Sequence, residues 1–341
     1  EKTSFDKMAK LGLRVAKLLF PGDATAQKKY RLVLTTLRRQ LKVVESLICT
    51  DHWDQVFFPA VPSKAHKRLK AAFERHEPER YAAYLEALKT GKTKVNTTGL
   101  HPHEILKPYQ SAQQEDPLIE AQWKTLVDKI KAAGSLNKAL AVCDVSGSMQ
   151  GEPMEVCLAL GLIVAEMQAP PFKDHVLTFH ETPTWFQLPE DASIHVRYQA
   201  LMQAPWGGST NLLKTFELIL STAVANQVPA DEMPGTLFIF SDMQFDVAVR
   251  NTGDKTAFGH MQEMFGKAGY TLPQVVFWNL RAVQGAQSFP VASNENGVAL
   301  ISGFSADLLK LFLESPTQLT PLTMMLKAIS KYHVDIDPSE V

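Results

Sequence analysis

The chain has 341 residues, of which 45% are hydrophobic and 21% charged, and its formal net charge is −1. These values are ordinary for a soluble globular protein, and at roughly 100–200 residues per domain they predict two domains. Because no run of about 18 apolar residues occurs, we expect no membrane-spanning helix and no membrane partner. The chain begins at Glu1 with helical character and shows no signal peptide, which predicts a fragment of a longer protein.

The balance of charge differs between the two halves of the chain. Residues 1–140 hold 25 Lys and Arg against 15 Asp and Glu, a balance of +10, whereas residues 141–341 hold the other 10 and 21, a balance of −11. Such asymmetry indicates either a module that faces nucleic acid or two domains that attract each other. The charge pattern leaves both interpretations open.

The cysteines indicate a reducing compartment. Cys49, Cys143 and Cys157 form no CxxC pair, and the last two fall on a predicted core strand and a predicted core helix. This pattern favours free, buried thiols over disulfides. We therefore expect an intracellular, cytoplasmic protein.

Residues 1–133 carry helical patterns and no convincing strand, which predicts an all-α module. Between residues 26 and 49, apolar side chains recur at three- and four-residue steps, as is typical of one helix with a single buried face. That face comprises Tyr30, Val33, Leu37, Leu41, Val44 and Ile48. Successive helical hairpins of this kind would fit a solenoid-like arrangement.

Basic residues crowd two of the predicted helices of this module. A basic surface is usually only solvated, and the alternative is that it binds the phosphates of a nucleic acid. The candidate nucleic-acid-binding residues are Arg31, Arg38, Arg39, Lys42, Lys64, Lys67, Arg68 and Lys70. The segment His101-Pro102-His103-Glu104 has no second His or Cys cluster to accompany it, so no metal site is predicted there.

From residue 134 the chain alternates strands and helices, which predicts a doubly wound α/β domain over residues 134–341. Its organising stretch is KALAVCDVSGSMQG, at residues 138–151, which predicts a buried strand, a tight loop and then a helix. Asp144, Ser146 and Ser148 occupy alternate positions in that loop. Ligand sites of open α/β sheets lie at the carboxyl ends of strands, and short oxygen side chains suit Mg²⁺ or Mn²⁺ far better than zinc.

This motif resembles the metal-ion-dependent adhesion site of von Willebrand factor A domains, which draws two more ligands from later loops. Thr210 lies in a Gly-rich loop before a predicted helix, and Asp242 ends a buried strand. The three segments that carry these ligands occur in the expected order along the chain, and each lies at a predicted strand-to-helix junction. Asp246 follows Asp242 by four residues and either adds charge behind the ligands or caps the next turn.

The resemblance implies how such an ion would be held. The hydroxyls of Ser146, Ser148 and Thr210 would contact the ion, and Asp144 and Asp242 would hold it largely through coordinated waters. Mg²⁺ keeps an octahedral shell, so one position would stay open. The implied partner is a protein that supplies a carboxylate to that position.

Two family resemblances cover longer stretches. A helical half followed by an A domain with an Asp-x-Ser-x-Ser motif resembles the Ro ribonucleoprotein autoantigen family, in which helical repeats, the TROVE module, bind RNA. The chain more closely resembles an uncharacterised family of plant and giant-virus proteins. That resemblance is carried by YRLVLTTLRRQLKVVE at residues 30–45, WDQVFFPAVPSKA at residues 53–65, FIFSDMQFD and VFWNLR.

Three functional hypotheses follow from these patterns. The first is a non-enzymatic, divalent-metal-dependent binding or scaffold protein whose A domain clamps an acidic group of a partner. The alternative is a Ro-type RNA-binding component that uses the basic helical module, and a minor alternative is a metal-dependent phosphoester hydrolase. We expect no enzyme, because neither a GxSxG nucleophile elbow nor a GxxxxGK[ST] phosphate loop occurs.

Overall fold

The structure, a computed structural model, describes residues 2–179, 182–204, 211–243, 257–281 and 297–305, together with residues 308, 309 and 312. The chain forms two compact units, Glu1–Thr98 and Gly99–Val341. The first unit is helical, and the second holds a mixed sheet flanked by helices, which confirms the predicted order of a helical part and then an α/β domain. None of the helices in the described ranges combines the length and the apolar character that a membrane span requires.

The first unit is built around aromatic side chains. Its helices are α1 (Lys2–Leu19), α2 (Ala26–Gln40), α3 (Val44–Cys49), α4 (Ser63–His76) and α5 (Pro78–Lys89). Phe58 packs edge-on against Phe73 of α4 and Tyr81 of α5, with ring centroids 5.2 Å apart in both pairs. The buried His66 ring lies within this cluster, and its Nε2 is 3.2 Å from the Tyr81 hydroxyl. These contacts form the core that joins α4 to α5.

The continuous helix predicted for residues 26–49 is wrong. The chain leaves the helix after Gln40, Lys42 adopts a left-handed φ of 47°, and α3 starts a new helix at Val44. Three residues of the predicted buried face, Val33, Leu37 and Leu41, are exposed. Among residues 10–40, for which side-chain burial is described, the buried residues of α1 and α2 are the small Ala16 and Ala26, so the contact between the two helices covers little of that face.

The second unit contains a six-stranded sheet in the order β3-β2-β1-β4-β5-β6. Its strands are β1 (Ala139–Asp144), β2 (His175–Phe179), β3 (Thr184–Gln187), β4 (Thr236–Ser241), β5 (Gln274–Asn279) and β6 (Val298–Ser302). All neighbouring strands are parallel except β3, which pairs with β2 in antiparallel fashion as predicted. The strand order reverses between β1 and β4, and doubly wound sheets bind ligands outside the carboxyl ends of strands at such a switch point.

Helices cover both faces of this sheet. They are α6 (Pro102–Leu106), α7 (Pro117–Lys131), α8 (Glu152–Met167), α9 (Ile194–Met202), α10 (Leu212–Ala225) and α11 (Ala257–Lys267). One buried cluster contains α8 side chains with Ala141 and Phe240, and a second on the other face contains α10 side chains with Leu140 and Ile239. The helices predicted at residues 307–314 and 323–332 lie outside the described ranges, except for residues 308, 309 and 312.

Helices α6 and α7 belong to the compact unit that holds the sheet, although the boundary predicted from sequence falls between residues 133 and 134. The reason is α8, which is apolar on nearly all sides and buried along almost its whole length. A helix of this kind needs cover on both sides. The sheet covers one side, and α6, α7 and α9 cover the other. Lys107 Nζ lies 2.9 Å from both Glu155 carboxylate oxygens, and Trp123 Nε1 donates to Glu166 at 2.7 Å.

Close packing of α8 on β1 depends on a glycine. A Cβ atom at Gly161 would lie 2.5 Å from Cys143 Sγ and 3.7 Å from Val176 Cγ1. We expect Gly161→Ala to destabilise the chain by about 1–3 kcal/mol, because overpacking a filled core forces its neighbours to shift. Urea unfolding measures this, and Cys143→Ala in the same chain should recover part of the loss.

The control for that experiment is Gly266→Ala in α11, where a Cβ atom meets nothing within 4 Å. This helical glycine should tolerate alanine or gain stability from it, because alanine has the higher helix propensity. Equal losses at both positions would show that crowding against Cys143 is not the cause.

Candidate metal centre

The loop that follows β1 presents three oxygen-bearing side chains at the carboxyl edge of the sheet. Asp144 is the last residue of β1, a 3-10 turn spans Gly147–Met149, and α8 begins at Glu152. Gly151 has a φ of 94°, a left-handed value that favours glycine, and this residue redirects the chain into α8. The sequence therefore places Asp144, Ser146 and Ser148 in a short, conformationally fixed loop.

Hydrogen bonds order this loop. The backbone N–H of Ser146 donates to Asp144 Oδ1 at 2.9 Å, and the hydroxyl oxygens of Ser146 and Ser148 are 3.0 Å apart. Adjacent oxygen ligands of an octahedral ion with bonds of about 2.1 Å lie about 3 Å apart. The two hydroxyls are therefore spaced as two neighbouring ligands of a small divalent ion would be.

The neighbouring strand supplies the second carboxylate. Cys143 pairs with Phe240 in the β1–β4 ladder, so the ends of these strands lie side by side. The Ser241 hydroxyl donates to Asp144 Oδ2 at 2.5 Å, and Asp242 follows directly. Asp144 is 0% exposed and Asp242 is 1% exposed. The structure thus brings two buried carboxylates together at the switch point of the sheet.

Burial and the second carboxylate shape the acidity of the site. The pKa of Asp144 is raised from its ordinary value of 3.8 to about 6, mainly by burial and also by the charge of Asp242, against the lowering effect of the hydrogen bonds from Ser241 and Ser146. A charge held in a buried site is costly unless it is compensated. A bound cation would supply that compensation.

The donor set fits a hard divalent cation. It consists of carboxylates and hydroxyls, which suit Mg²⁺ or Mn²⁺, and it contains no imidazole. Across the part of the chain that the structure describes, no group of three or more His, Cys, Asp and Glu side chains could hold a metal ion. Any ion here would thus depend on the serine hydroxyls as well as on the two carboxylates.

Other residues predicted for the site lie beyond the described ranges. Thr210 falls between residues 204 and 211, and Asp246 falls after residue 243, so both stay predictions. The helix expected after Thr210 does begin where predicted, at Leu212. The Asn211 side chain caps α10 by accepting a hydrogen bond from the Lys214 backbone at 3.1 Å.

Sequence reasoning missed two residues at this centre. Ser241 bridges the strands, since its hydroxyl donates to Asp144 and accepts from the Met243 backbone at 3.0 Å. Arg281, which follows β5, donates from Nη1 to the backbone carbonyl of Ser148. Both contacts arise from the order of the strands. In the sequence, the one local feature that could have pointed to either residue is the polar Ser241 at the end of an apolar run.

The His101–Glu104 segment has a structural role. The carboxylate of Glu104 accepts from the His101 backbone N–H at 2.9 Å and completes a capping box at the start of α6. His103 is buried, which lowers its pKa, and its Nε2 lies 3.6 Å from Glu152.

The basic residues divide between two helices of the first unit. Arg31, Arg38 and Arg39 lie on α2 with Lys42 just beyond it, and the other four lie on α4. All are exposed except the half-buried Lys70. Arg68 forms an exposed ion pair with Glu45 at 3.1 Å.

Ser241 provides a test of how the site is positioned. We expect Ser241→Ala to weaken divalent-ion binding by about 10–100-fold, because groups that orient metal-site residues typically contribute that much. Titration with Mn²⁺ measures the change. The matched control is Ser63→Ala, which removes another buried serine hydroxyl in the first unit, where Ser63 donates to the Asn96 carbonyl. If both variants bind Mn²⁺ equally well, Ser241 does not position the site.

Fold and site together define a doubly wound α/β domain with an acidic, hydroxyl-containing centre at its switch point. The chain belongs to the family described as domain of unknown function DUF7788, whose model matches residues 138–331. A second family, domain of unknown function DUF2828, matches residues 2–136.

A giant-virus protein and two solved structures are similar to the chain. "Uncharacterized protein L728" of Acanthamoeba polyphaga mimivirus is 39% identical over 318 residues, which cover 89% of this chain and 55% of that protein. The chain thus spans about half the length of this relative. The expected membership of an uncharacterised family with a giant-virus relative is confirmed, whereas the likeness to the TROVE module stays a prediction.

The solved structures are both of proximal thread matrix protein 1 from the mussel byssus. One, in crystal form 2, is 12% identical with a TM-score of 0.35 and covers 53% of this chain and 47% of the other. The second, with a zinc-occupied MIDAS motif, is 18% identical with a TM-score of 0.32 and covers 53% and 45%. With likenesses this low, the assignment of the fold rests on the strand order and pairing described above.

Proposed function

We propose that the second unit is a von Willebrand factor A-like domain that binds a divalent cation, Mg²⁺ or Mn²⁺, and through it an acidic group of a protein partner. The observation that carries this proposal is the meeting of Asp144 and Asp242, two buried carboxylates, beside two serine hydroxyls 3.0 Å apart. When bound, the ion would offer a coordination position to the partner's carboxylate.

The chain's own residues have distinct parts in this proposal. Asp144 is held in place by the Ser146 backbone and the Ser241 hydroxyl, so its carboxylate needs little rearrangement to face an ion. Ser148 is half-buried and lies at the rim, where a partner's acidic group would arrive. Thr210 is the proposed third hydroxyl ligand. The proposed activity is recognition rather than catalysis.

Mn²⁺ titration followed by electron paramagnetic resonance tests the ion site. We expect one saturable Mn²⁺ per chain, displaced by Mg²⁺, and binding at least about tenfold weaker in Ser148→Ala because a hydroxyl ligand is lost. The control is Ser221→Ala, whose exposed hydroxyl donates only to the Leu218 carbonyl of its own helix. Absence of saturable binding, or equal affinity in the two variants, would contradict the proposal.

A second arm tests recognition of a carboxylate. Bound Mn²⁺ enhances the relaxation of water protons, and a carboxylate that enters its coordination shell displaces a water. Sodium acetate should therefore lower the relaxation enhancement of the Mn²⁺-loaded chain, and sodium chloride at the same ionic strength should not. If the two salts have equal effects, the bound ion does not recognise a carboxylate, and that part of the proposal is wrong.

RNA binding by the first unit is a second candidate, which the exposure of seven of the eight predicted cations favours. If the phosphates of RNA bind there, affinity for poly-uridine should fall steeply as salt rises, because counterions are released on binding. Reversal of charge at Arg38 and Arg39 should weaken this binding, and chelation of divalent ions should not.

A further inference from the structure

Arg281 lies at the same edge of the sheet as the candidate metal centre. Strand β5 ends at Asn279, which pairs with Ser241 at the end of β4. The buried Leu280 continues this pairing, since its backbone N–H donates to the Ser241 carbonyl at 2.9 Å. The Arg281 backbone N–H donates to Asn279 Oδ1, also at 2.9 Å. These contacts fix the backbone from which the Arg281 side chain extends.

The Arg281 side chain reaches from the end of β5 to the loop after β1. Its Nη1 donates to the backbone carbonyl of Ser148, whose hydroxyl oxygen is 3.0 Å from that of Ser146. Because β4 lies between β1 and β5, the side chain passes the end of β4, which Asp242 follows. The guanidinium is thus placed beside the residues proposed to hold the ion.

Most of the hydrogen-bonding capacity of this guanidinium is left over. An arginine side chain carries several N–H donors in a planar fork. In the described ranges, the contact made by that fork is the one with the Ser148 carbonyl. Arg281 is also exposed. The remaining donors are therefore available to a ligand that arrives from solvent.

The charges at this centre favour an anion as that ligand. Asp144 and Asp242 carry two negative charges when both are ionised, and a bound divalent ion would neutralise them. The guanidinium stays charged at any pH at which the chain is folded, so it leaves the loaded centre with a positive charge. A carboxylate that enters from solvent would compensate that charge.

We propose that Arg281 determines specificity at this centre by holding the second oxygen of the acidic group that the ion binds. This inference rests on the proposed function and adds to it. One oxygen of the partner's carboxylate would enter the open position of the ion, and the guanidinium would donate to the other. The fork of arginine suits planar carboxylates. The centre should therefore prefer anions with two acidic oxygens to monatomic anions.

A purely structural role for Arg281 predicts a different result. If the side chain served only to hold the Ser148 carbonyl, its removal would loosen the loop and weaken binding of the ion. In the proposed role, its removal takes a positive charge away from a bound cation, which favours binding of that cation. The two roles therefore predict opposite changes in the affinity for Mn²⁺.

The test compares the wild type with Arg281→Gln, each as the full chain saturated with Mn²⁺. The fall in water-proton relaxation enhancement on addition of sodium acetate gives the affinity for acetate. We expect Arg281→Gln to bind acetate at least about threefold more weakly, because a charge-assisted hydrogen bond is lost. It should bind Mn²⁺ at least as tightly as the wild type, and its circular dichroism should be unchanged, since Arg281 is exposed.

The matched control is Arg75→Gln, which removes an exposed arginine of α4 in the first unit. This variant should bind both acetate and Mn²⁺ as the wild type does.

Fluoride distinguishes a direct contact from a general effect of charge. It fills a coordination position of Mn²⁺ with a single atom and offers no second oxygen to Arg281. Loss of the guanidinium removes the same positive charge for both anions, but acetate also loses a hydrogen bond. We therefore expect Arg281→Gln to weaken acetate by a larger factor than fluoride, with sodium chloride used to keep the ionic strength constant.

Three results would overturn the proposal. An unchanged affinity for acetate in Arg281→Gln would show that the guanidinium does not touch the acidic group. Weaker binding of Mn²⁺ in this variant would assign to Arg281 only the support of the loop, and equal losses for acetate and fluoride would assign to it only a charge. Failure of the proposed function is distinct, because the wild type itself would then show no saturable Mn²⁺ binding or no effect of acetate.

Discussion

Asp144→Asn should raise the stability of the metal-free chain at pH 8 and abolish its stabilisation by Mg²⁺. In the folded state burial raises the pKa of Asp144 to about 6, from an ordinary value of 3.8. The folded chain therefore holds the Asp144 proton more tightly than the unfolded chain. That contribution to stability is complete below about pH 4 and disappears as the pH rises through about 6.

The size of this effect follows from the shift in pKa. A difference of about two pKa units corresponds to about 3 kcal/mol of unfolding free energy at pH 8. Asparagine cannot ionise, so the variant avoids this loss and should exceed the metal-free wild type by up to about 3 kcal/mol at pH 8. Near pH 4 the two chains should converge, since Asp144 is then protonated.

Urea unfolding at pH 8, with and without Mg²⁺, tests both halves of this prediction. An ion that binds only the folded chain stabilises it by about 2.7 kcal/mol at a hundred times its dissociation constant. Wild type should gain in this way, and Asp144→Asn should not. The control is Asp191→Asn, an exposed carboxylate outside the site whose left-handed φ of 48° asparagine tolerates. If Mg²⁺ stabilises Asp144→Asn as much as the wild type, Asp144 does not help to hold the ion.

Arg197→Met should destabilise the chain by about 3–5 kcal/mol, because it leaves a buried carboxylate without its main cation. Arg197 Nη2 donates to Asp174 Oδ1 at 2.5 Å, and side-chain exposure is 9% for Arg197 and 4% for Asp174. Lys173 reaches Asp174 only at 3.9 Å and is mostly exposed, so it compensates little. Urea unfolding at pH 7 measures the loss.

Two further variants isolate the cause of that loss. Arg197→Met combined with Asp174→Asn should recover much of the stability, since the charge of Asp174 is gone and asparagine accepts the left-handed φ of 60° at this position. Lys173→Met should cost less than about 1 kcal/mol, as is usual for an exposed ion pair. A loss in Arg197→Met no greater than that in Lys173→Met would show that the buried pair does not carry the stability.

The parts of the fold that were predictable are those that short-range patterns encode. The buried strands β1 and β4 form continuous apolar runs, as central parallel strands do. The loop after β1 combines glycine with alternating short oxygen side chains, so its ligand chemistry was visible without the structure. The carboxyl ends of β1 and β4 meet because the strands are neighbours, and this brings Asp144 to Asp242.

The parts that were not predictable depend on contacts between distant elements. Ser241 orients Asp144 only because β4 lies beside β1, a fact that periodicity along one strand does not contain. The sequence predicts a helical module that reaches residue 133 because α6 and α7 have ordinary helical patterns. Their cover of α8 could have been inferred from the all-round apolar character of that helix. The exposed Leu37 and Leu41 show the same limit, since a periodic apolar face predicts burial without showing what covers it.

Anomalous diffraction from crystals grown with Mn²⁺ directly shows whether a divalent ion binds where β1 and β4 end. We expect one strong anomalous peak at the Ser146 and Ser148 hydroxyls, within about 2.2 Å of both oxygens. Asp144 and Asp242 should lie around the same peak. The absence of a peak there at saturating Mn²⁺, or a peak only at another position such as His101–Glu104, would show that no ion binds at the ends of β1 and β4.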